Sequence, residues 1–124
     1  MKVLLAKGTE AQRISRWLSG STVIVVEDVK TALAGFCDGW EKQSPFDVVV
    51  VEGRSPWARL AVARFRHVER LLGVDVLHPI RVVVVNGAVA QWPGTARVDA
   101  FVRSPLSERF FNDALEGVGL LAPA

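Results

Sequence analysis

Glu52 is the side chain of this sequence best placed to do chemistry. It ends the segment FDVVVVE at positions 46–52, whose run of valines predicts a buried strand. Such a strand delivers its last residue to the edge of a sheet, where the side chain meets water. The carboxylate is therefore a reactive group, an inert copy of one, or a polar residue at the end of a strand.

Few other residues could support metal or nucleophile chemistry. The chain has one cysteine, Cys37, two histidines, His67 and His78, and no tyrosine. A single cysteine excludes a disulfide within the chain and a cysteine-rich zinc site. We expect Cys37 to be a buried, inert thiol on the second helix and both histidines to lie on the surface. Neither a metal site nor a cofactor is expected.

The composition indicates one globular domain. With 124 residues, 50% of them hydrophobic, the chain can bury a sizeable core, and we expect a single domain over residues 1–124. Its unbroken apolar runs of about five residues fall far short of the roughly 18 that a membrane span needs. The net charge of +2 is weak support for nucleic-acid binding. We expect a cytoplasmic location, with neither membrane nor nucleic acid as a partner.

Strand-like and helical segments alternate along the chain. The predicted strands cover residues 2–6, 21–28, 46–53, 80–87 and 98–102. Capping residues mark the predicted helix starts: Thr9 with Gln12 as a capping-box partner, Asp28, Ser55 with Pro56, and Ser107. The segment AVAQWPGTAR at 88–97 contains proline and glycine, so a fourth helix there would have one or two turns at most.

The second to fourth predicted strands are nearly continuous valine and isoleucine. Strands of this composition are covered on both faces, which is typical of a parallel sheet with helices on either side. Together with the strand–helix alternation, this predicts a doubly wound α/β domain.

Four segments resemble the response-regulator receiver family. They are FDVVVVEGRSP at 46–56, VEDVKTAL at 26–33, PIRVVVVNG at 79–87 and VDAFVRSPLS at 98–107. The order and spacing of the elements are also similar over the whole chain. The resemblance implies a (βα)5 flavodoxin-like three-layer sandwich with the parallel strand order 2-1-3-4-5.

The family's chemistry implies particular residues at the carboxyl ends of the strands. A receiver holds Mg²⁺ on an acidic pair after strand one and is phosphorylated on an aspartate after strand three. A serine or threonine follows strand four and a lysine follows strand five. In this sequence the corresponding positions are Lys7 and Gly8, Glu52, Asn86, and Ser104. Every one departs from the pattern, so the resemblance implies a degenerate phosphorylation site without catalytic residues.

The missing acidic pair changes what Glu52 can do. A lysine ammonium at the metal position repels Mg²⁺ and offers no oxygen ligand. Strands one and three are neighbours in the implied order, so we expect Lys7 and Glu52 to form an ion pair across the site. The other interpretation is that Glu52, a longer carboxylate, imitates a phosphorylated aspartate, although the lysine and hydroxyl which that requires are missing.

Four residues are candidates for protein contacts. Trp57 and Trp92 are expected near the functional edge, either as binding anchors or as a lid over the emptied site. Arg103 precedes the lysine position. Phe110 is adjacent to the core residue Phe111, so we expect Phe110 to be exposed on the face by which receivers pair with each other. Pairing of two copies through Phe110 is therefore predicted.

The leading hypothesis is a pseudo-receiver: a bacterial signalling adaptor that acts by phosphorylation-independent contacts with protein partners of its pathway. Two alternatives keep the family but change the role. One is a response regulator that is still phosphorylated, and the other is a receiver-like N-terminal regulatory domain of a transcriptional activator, suggested by the segment 90–105. A third is a phosphate- or nucleotide-binding module that uses an arginine-rich helix face with Arg59, Arg66 and Arg70.

Overall fold

The computed structural model describes residues 1–121, and residues 122–124 of the predicted domain lie outside the described residues. Five strands and four helices alternate. They are β1 (Lys2–Ala6), α1 (Ala11–Trp17), β2 (Thr22–Val26), α2 (Val29–Glu41), β3 (Val48–Glu52), α3 (Pro56–Leu72), β4 (Arg81–Val85), β5 (Ala100–Val102) and α4 (Glu108–Gly117). No helix within residues 1–121 is long and apolar enough to cross a membrane.

All strand pairs are parallel and their order is β2-β1-β3-β4-β5, which confirms the predicted fold class. Alternate residues of each central strand face opposite sides of the sheet. Leu4, Val49 and Val82 pack beneath α2 and α3, whereas Val3 and Val48 pack beneath α1 and α4. The sheet is therefore the middle of three layers, and the carboxyl ends of its strands form one edge.

The edge strand β2 departs from the prediction that it is covered on both faces. Ile24 and Val25 point to opposite faces of the sheet, yet their exposed fractions are 43% and 48%. One reason is that β2 has a neighbour on one side only. Another is that α1 has seven residues, too few to cover the strand along its length.

Local sequence signals place most helix starts correctly. Asp28 accepts a hydrogen bond from the backbone of Thr31 and forms a capping box with it. Ser55 accepts from the backbone of Ala58, with Pro56 in the first turn, and Ser107 accepts from the backbone of Phe110. The prediction for α1 is wrong. Its N-cap is Glu10, with no side-chain capping bond, because the Thr9 hydroxyl is used elsewhere.

Two single 3-10 turns, Val89–Gln91 and Gly94–Ala96, stand where a fourth helix would separate β4 from β5. A buried ion pair on α3 holds this irregular segment. Arg66 lies 2.8 Å from Glu69 and donates hydrogen bonds to the carbonyl oxygens of Ala96, Arg97 and Ile80. Arg66 is therefore not part of an accessible arginine-rich face for binding phosphate, since its side chain is buried.

Candidate functional site

A small polar cleft opens at the carboxyl ends of the central strands. Its volume is about 230 Å³, and its walls are formed by Thr9, Glu52, Arg54, Asn86 and Ser104. Thr9 lies between β1 and α1, Glu52 ends β3, Asn86 follows β4 and Ser104 follows β5. Three of the five predicted site residues, Glu52, Asn86 and Ser104, thus line one cleft.

Glu52 occupies the space next to Gly8. A Cβ atom built on Gly8 would overlap Oε2 of Glu52 and would lie 2.5 Å from its carboxyl carbon. Any side chain at position 8 therefore requires Glu52 to move. The longer carboxylate of Glu52 and the glycine at position 8 are complementary in shape, so the one carboxylate fills the space that a second acidic side chain would need.

The predicted ion pair between Lys7 and Glu52 is wrong. Nζ of Lys7 lies 3.2 Å from Oε1 of Glu27, and both side chains are largely exposed. Glu52 instead accepts a hydrogen bond of 2.7 Å from the Thr9 hydroxyl. The physical reason is that Lys7 leaves β1 beside the end of β2, where its backbone N–H bonds to the carbonyl of Val26. Its side chain therefore meets the first acidic residue after β2.

The side chains of Asn86 and Ser104 are hydrogen-bonded to each other. The Ser104 hydroxyl donates a hydrogen bond of 2.8 Å to Oδ1 of Asn86, which has a left-handed backbone conformation (φ 53°). The loops after β3 and β4 also touch, since a Cβ on Gly87 would lie 2.6 Å from the Cα of Gly53. These contacts bring the two loops close together below the cleft.

A second cleft of about 200 Å³ continues from the first. It shares Arg54, Asn86 and Ser104 with the first cleft and adds Arg103 and Gln91. Arg54 and Arg103 are both exposed, whereas Glu52 is the one carboxylate among the residues lining the two clefts. The charged side chains lining the combined surface are thus two guanidinium groups against one carboxylate.

The residues of the cleft do not fit a magnesium ion. Mg²⁺ takes hard oxygen ligands in an octahedral arrangement and is usually held by carboxylates. Glu52 is the single carboxylate here, and one of its oxygens already accepts from Thr9. Within residues 1–121, no three histidine, cysteine, aspartate or glutamate residues are grouped as metal ligands would be.

The two tryptophans do not line the cleft. Trp92 is 7% exposed and belongs to the core beneath α2 and α3, so the prediction that it is a surface anchor or a lid over the site is wrong. Its indole Nε1 is buried and has no hydrogen-bond partner in the described part of the chain. Trp57 is partly buried in the first turn of α3 and packs against the same core. Both tryptophans therefore serve packing of this core.

Arg103 and Phe110 lie together in a larger groove between β5 and α4. The Arg103 guanidinium carbon is 5.2 Å from the centroid of the Phe110 ring. Phe110 is half-buried rather than exposed, because one side of its ring packs against the core beneath α4. The groove has a volume of about 500 Å³ and also contains Asp99 and Asp113, so it presents an apolar floor between charges of both signs.

Thr9 and Arg54 were missed as site residues by sequence reasoning. The sequence predicts Thr9 to be a helix cap, and nothing distinguishes Arg54 from the several other arginines in and before the third helix. The available signal was position, since each lies within three residues of the carboxyl end of a central strand. The prediction for Cys37 is also wrong: its side chain is exposed, at the rim of an apolar groove between α2 and α3.

Solved structures share this fold, although no family model matches the sequence and no curated protein matches it significantly. The chemotaxis response regulator CheY4 of Vibrio cholerae superposes with a TM-score of 0.67 at 16% identity, over 94% of this chain and 97% of that one. The pseudo-receiver domain of CikA superposes with a TM-score of 0.59 at 22% identity, over 99% and 98% of the two chains. The chain has the receiver fold.

A third receiver-fold neighbour comes from Saccharomyces cerevisiae. It is a chain of the co-crystal structure of the histidine phosphotransfer signaling protein Ypd1 and the receiver domain of its downstream response regulator Ssk1. The TM-score is 0.71 at 11% identity, over 94% of this chain and 87% of that one. Identities this low establish the fold. The cleft described above lies at the carboxyl ends of the strands, where open parallel sheets of this kind bind their ligands.

Proposed function

We propose that this chain is a pseudo-receiver, a signalling adaptor of the cytoplasm that acts by protein contacts without phosphoryl transfer. The observation that carries the proposal is the overlap between the Glu52 carboxylate and the space above Gly8. Phosphoryl transfer in this fold needs a cation to neutralise the charge on the transferred group. With a single carboxylate, one oxygen of which already accepts from Thr9, the cleft lacks the ligands for that cation.

The rest of the cleft supports the same proposal. Asn86 and Ser104 are hydrogen-bonded to each other, and Glu52 is bonded to Thr9. To contact the phosphoryl oxygens, a phosphorylated receiver needs a free hydroxyl at the position of Asn86 and a lysine at the position of Ser104. Here the Ser104 hydroxyl donates to Asn86 and neither position carries a lysine, so neither of those contacts with a phosphoryl group is available.

The groove between β5 and α4 is the proposed docking surface for a protein partner. It combines the half-buried ring of Phe110 with the exposed guanidinium of Arg103. Arginine and aromatic side chains at the rim of a groove are frequent anchors of protein interfaces. Cross-linking in cells followed by peptide mapping should place the partner on residues 99–118. Loss of those cross-links in Arg103→Glu, but not in Arg70→Glu on α3, is the expected pattern.

A magnesium titration followed by NMR tests the proposal. We expect the amide signals of Gly8, Glu52 and Asn86 to stay unchanged on adding Mg²⁺ with beryllofluoride, a mimic of the phosphorylated state. Gly8→Asp combined with Glu52→Asp, which restores two short carboxylates, is the matched control and should respond to Mg²⁺. Saturable shifts at these amides in the natural sequence would contradict the proposal and favour the alternative of a receiver that is still phosphorylated.

A further inference from the structure

Among the described residues 1–121, nothing pairs with the outer edge of β2, and this edge lacks the usual protection. Natural proteins shield such edges with charged residues, proline or a bulge. None of the five residues Thr22–Val26 is charged or proline, and their register with β1 is continuous. Ile24 and Val25 add exposed apolar surface on both faces of the same edge. The strand therefore has both the free backbone groups and the apolar side chains that strand pairing uses.

The hydrogen bonds to β1 show which backbone groups are free. The N–H of Thr22 donates to the carbonyl of Met1, and the carbonyl of Val26 accepts from the N–H of Lys7. In a parallel pair, alternate residues direct both groups to the same neighbour. Residues 22, 24 and 26 therefore bond to β1, whereas Val23 and Val25 direct their N–H and C=O groups outward.

We infer that two copies of this chain pair through antiparallel β2 strands, with the two-fold axis at Ile24. In this register Val23 of each copy faces Val25 of the other, so the outward groups form four hydrogen bonds. Ile24 faces its own copy as a non-hydrogen-bonded pair, the position where side chains approach most closely. The edge is thus complementary to itself, and no other register uses both valines while joining the two isoleucines.

The flanking charges permit this register. Glu27 would face Ser21 of the second copy, and Asp28 would face Gly20, so no like charges meet. The pairing also gives a closed dimer, because the two-fold symmetry uses the β2 edge of both copies in one interface and leaves neither edge free. The outermost strands of the joined ten-stranded sheet would be the β5 strands, which have three residues each and offer little template for further growth.

Sedimentation equilibrium over a wide concentration range tests the pairing. We expect the mass to rise from 13.5 kDa toward twice that value. Ile24→Lys and Val25→Pro should both stay at the mass of one chain. Val25→Pro removes an outward N–H that has no partner among residues 1–121, so it should fold normally, as a circular dichroism melt will show. Leu71→Lys, which replaces an exposed leucine on α3, is the matched control and should pair like the natural sequence.

Cysteine cross-linking tests the register. In a Cys37→Ser background, Ile24→Cys should form a disulfide between copies on mild oxidation, because the two Cα atoms of a non-hydrogen-bonded pair lie within disulfide reach. Thr22→Cys should not, since residue 22 would face Val26. A single-chain mass at all concentrations, a dimer that survives Ile24→Lys and Val25→Pro, or a dimer that is lost in Phe110→Asp alone would each overturn the inference. Loss of the dimer in Leu71→Lys would do the same.

Discussion

Replacing Glu69 by alanine should be among the most damaging single changes in this chain. The carboxylate is fully buried, lies 2.8 Å from Nη1 of Arg66 and accepts a hydrogen bond of 2.6 Å from the backbone N–H of Ile80. Its removal leaves the Arg66 guanidinium, itself 2% exposed, without its closest counter-charge, and leaves the Ile80 N–H without a partner.

The magnitude follows from these contacts. Breaking a buried ion pair by removing one partner costs about 3–5 kcal/mol, since the other charge stays buried and uncompensated. Asp99, whose Oδ2 lies 3.6 Å from Arg66, compensates part of the charge, which favours the lower end of this range. With a urea m-value of about 2 kcal/mol per molar, the midpoint of unfolding should fall by about 1.5–2 M.

Urea denaturation of Glu69→Ala beside Asp38→Ala measures this effect. Asp38 pairs with Lys42 at 3.2 Å and is likewise a helical acid beside a basic residue, but both of these side chains are more than half exposed. The exposed pair should cost about 0.3–0.5 kcal/mol. If Glu69→Ala costs no more than Asp38→Ala, with an unchanged m-value, the argument that a buried charge pair holds this region is refuted.

The same variant should loosen one particular segment. Arg66 holds the carbonyl groups of Ala96 and Arg97, so an Arg66 without its counter-charge should release the turns at 88–97 before the rest of the domain unfolds. Hydrogen exchange should therefore increase at residues 88–97 more than in β1 or β3. Uniform faster exchange across the sheet would mean that the pair acts on the whole core instead.

Two further predictions concern the cleft and the second helix. Gly8→Asp should destabilise the domain by no more than about 1 kcal/mol, because the Glu52 carboxylate that it meets is the flexible end of a half-exposed side chain and can turn away. Adding Glu52→Asp should recover part of that loss, and additive effects of the two changes in urea denaturation would contradict the overlap. The pKa of Asp28 lies below its ordinary value of 3.8, chiefly because its carboxylate accepts a hydrogen bond from the backbone of Thr31, and secondly because it accepts one from the Thr31 side chain. Ionised Asp28 therefore stabilises the fold above pH 3.8. The difference in unfolding free energy between the natural sequence and Asp28→Asn should therefore shrink as the pH falls through 3.8 and below, and a difference that grows toward acid pH would refute the assignment.

The fold could be predicted from the sequence because it depends on patterns that are local and redundant. Runs of valine predict central strands that are covered on both faces, because both faces of such a strand are apolar. The caps at Asp28, Ser55 and Ser107 were equally accessible, since each is satisfied by a backbone group three residues further along the chain. Signals of this kind do not depend on what lies across the molecule.

Three of the failures concern side chains whose partners are distant in sequence. Thr9 is a good helix cap by its type and position, but a carboxylate 43 residues away competes for its hydroxyl. Arg66 carries the same charge as its exposed neighbours on α3, and only the segment 96–97 reveals why it is buried. Lys7 was assigned to Glu52 from strand adjacency alone, although β2 adjoins β1 on the other side and supplies Glu27.

The predicted site positions were more useful than the predicted contacts. Glu52, Asn86 and Ser104 line one cleft because parallel strands deliver the residues after them to a common edge. What these side chains do there depends on lengths and rotamers. The complementarity between Glu52 and Gly8 is an example. The sequence shows them as two separate departures from the receiver pattern, whereas in the structure the Glu52 carboxylate occupies the space beside Gly8.

Intact mass spectrometry after incubation with Mg²⁺ and acetyl phosphate tests the central claim most directly. The account predicts the unmodified mass throughout, both in the natural sequence and in Glu52→Gln. Addition of one phosphoryl group to the natural sequence, absent from Glu52→Gln and dependent on Mg²⁺, would contradict it. That result would mean that the cleft binds the cation despite the single carboxylate, and that Glu52 is an acceptor rather than a filler of the site.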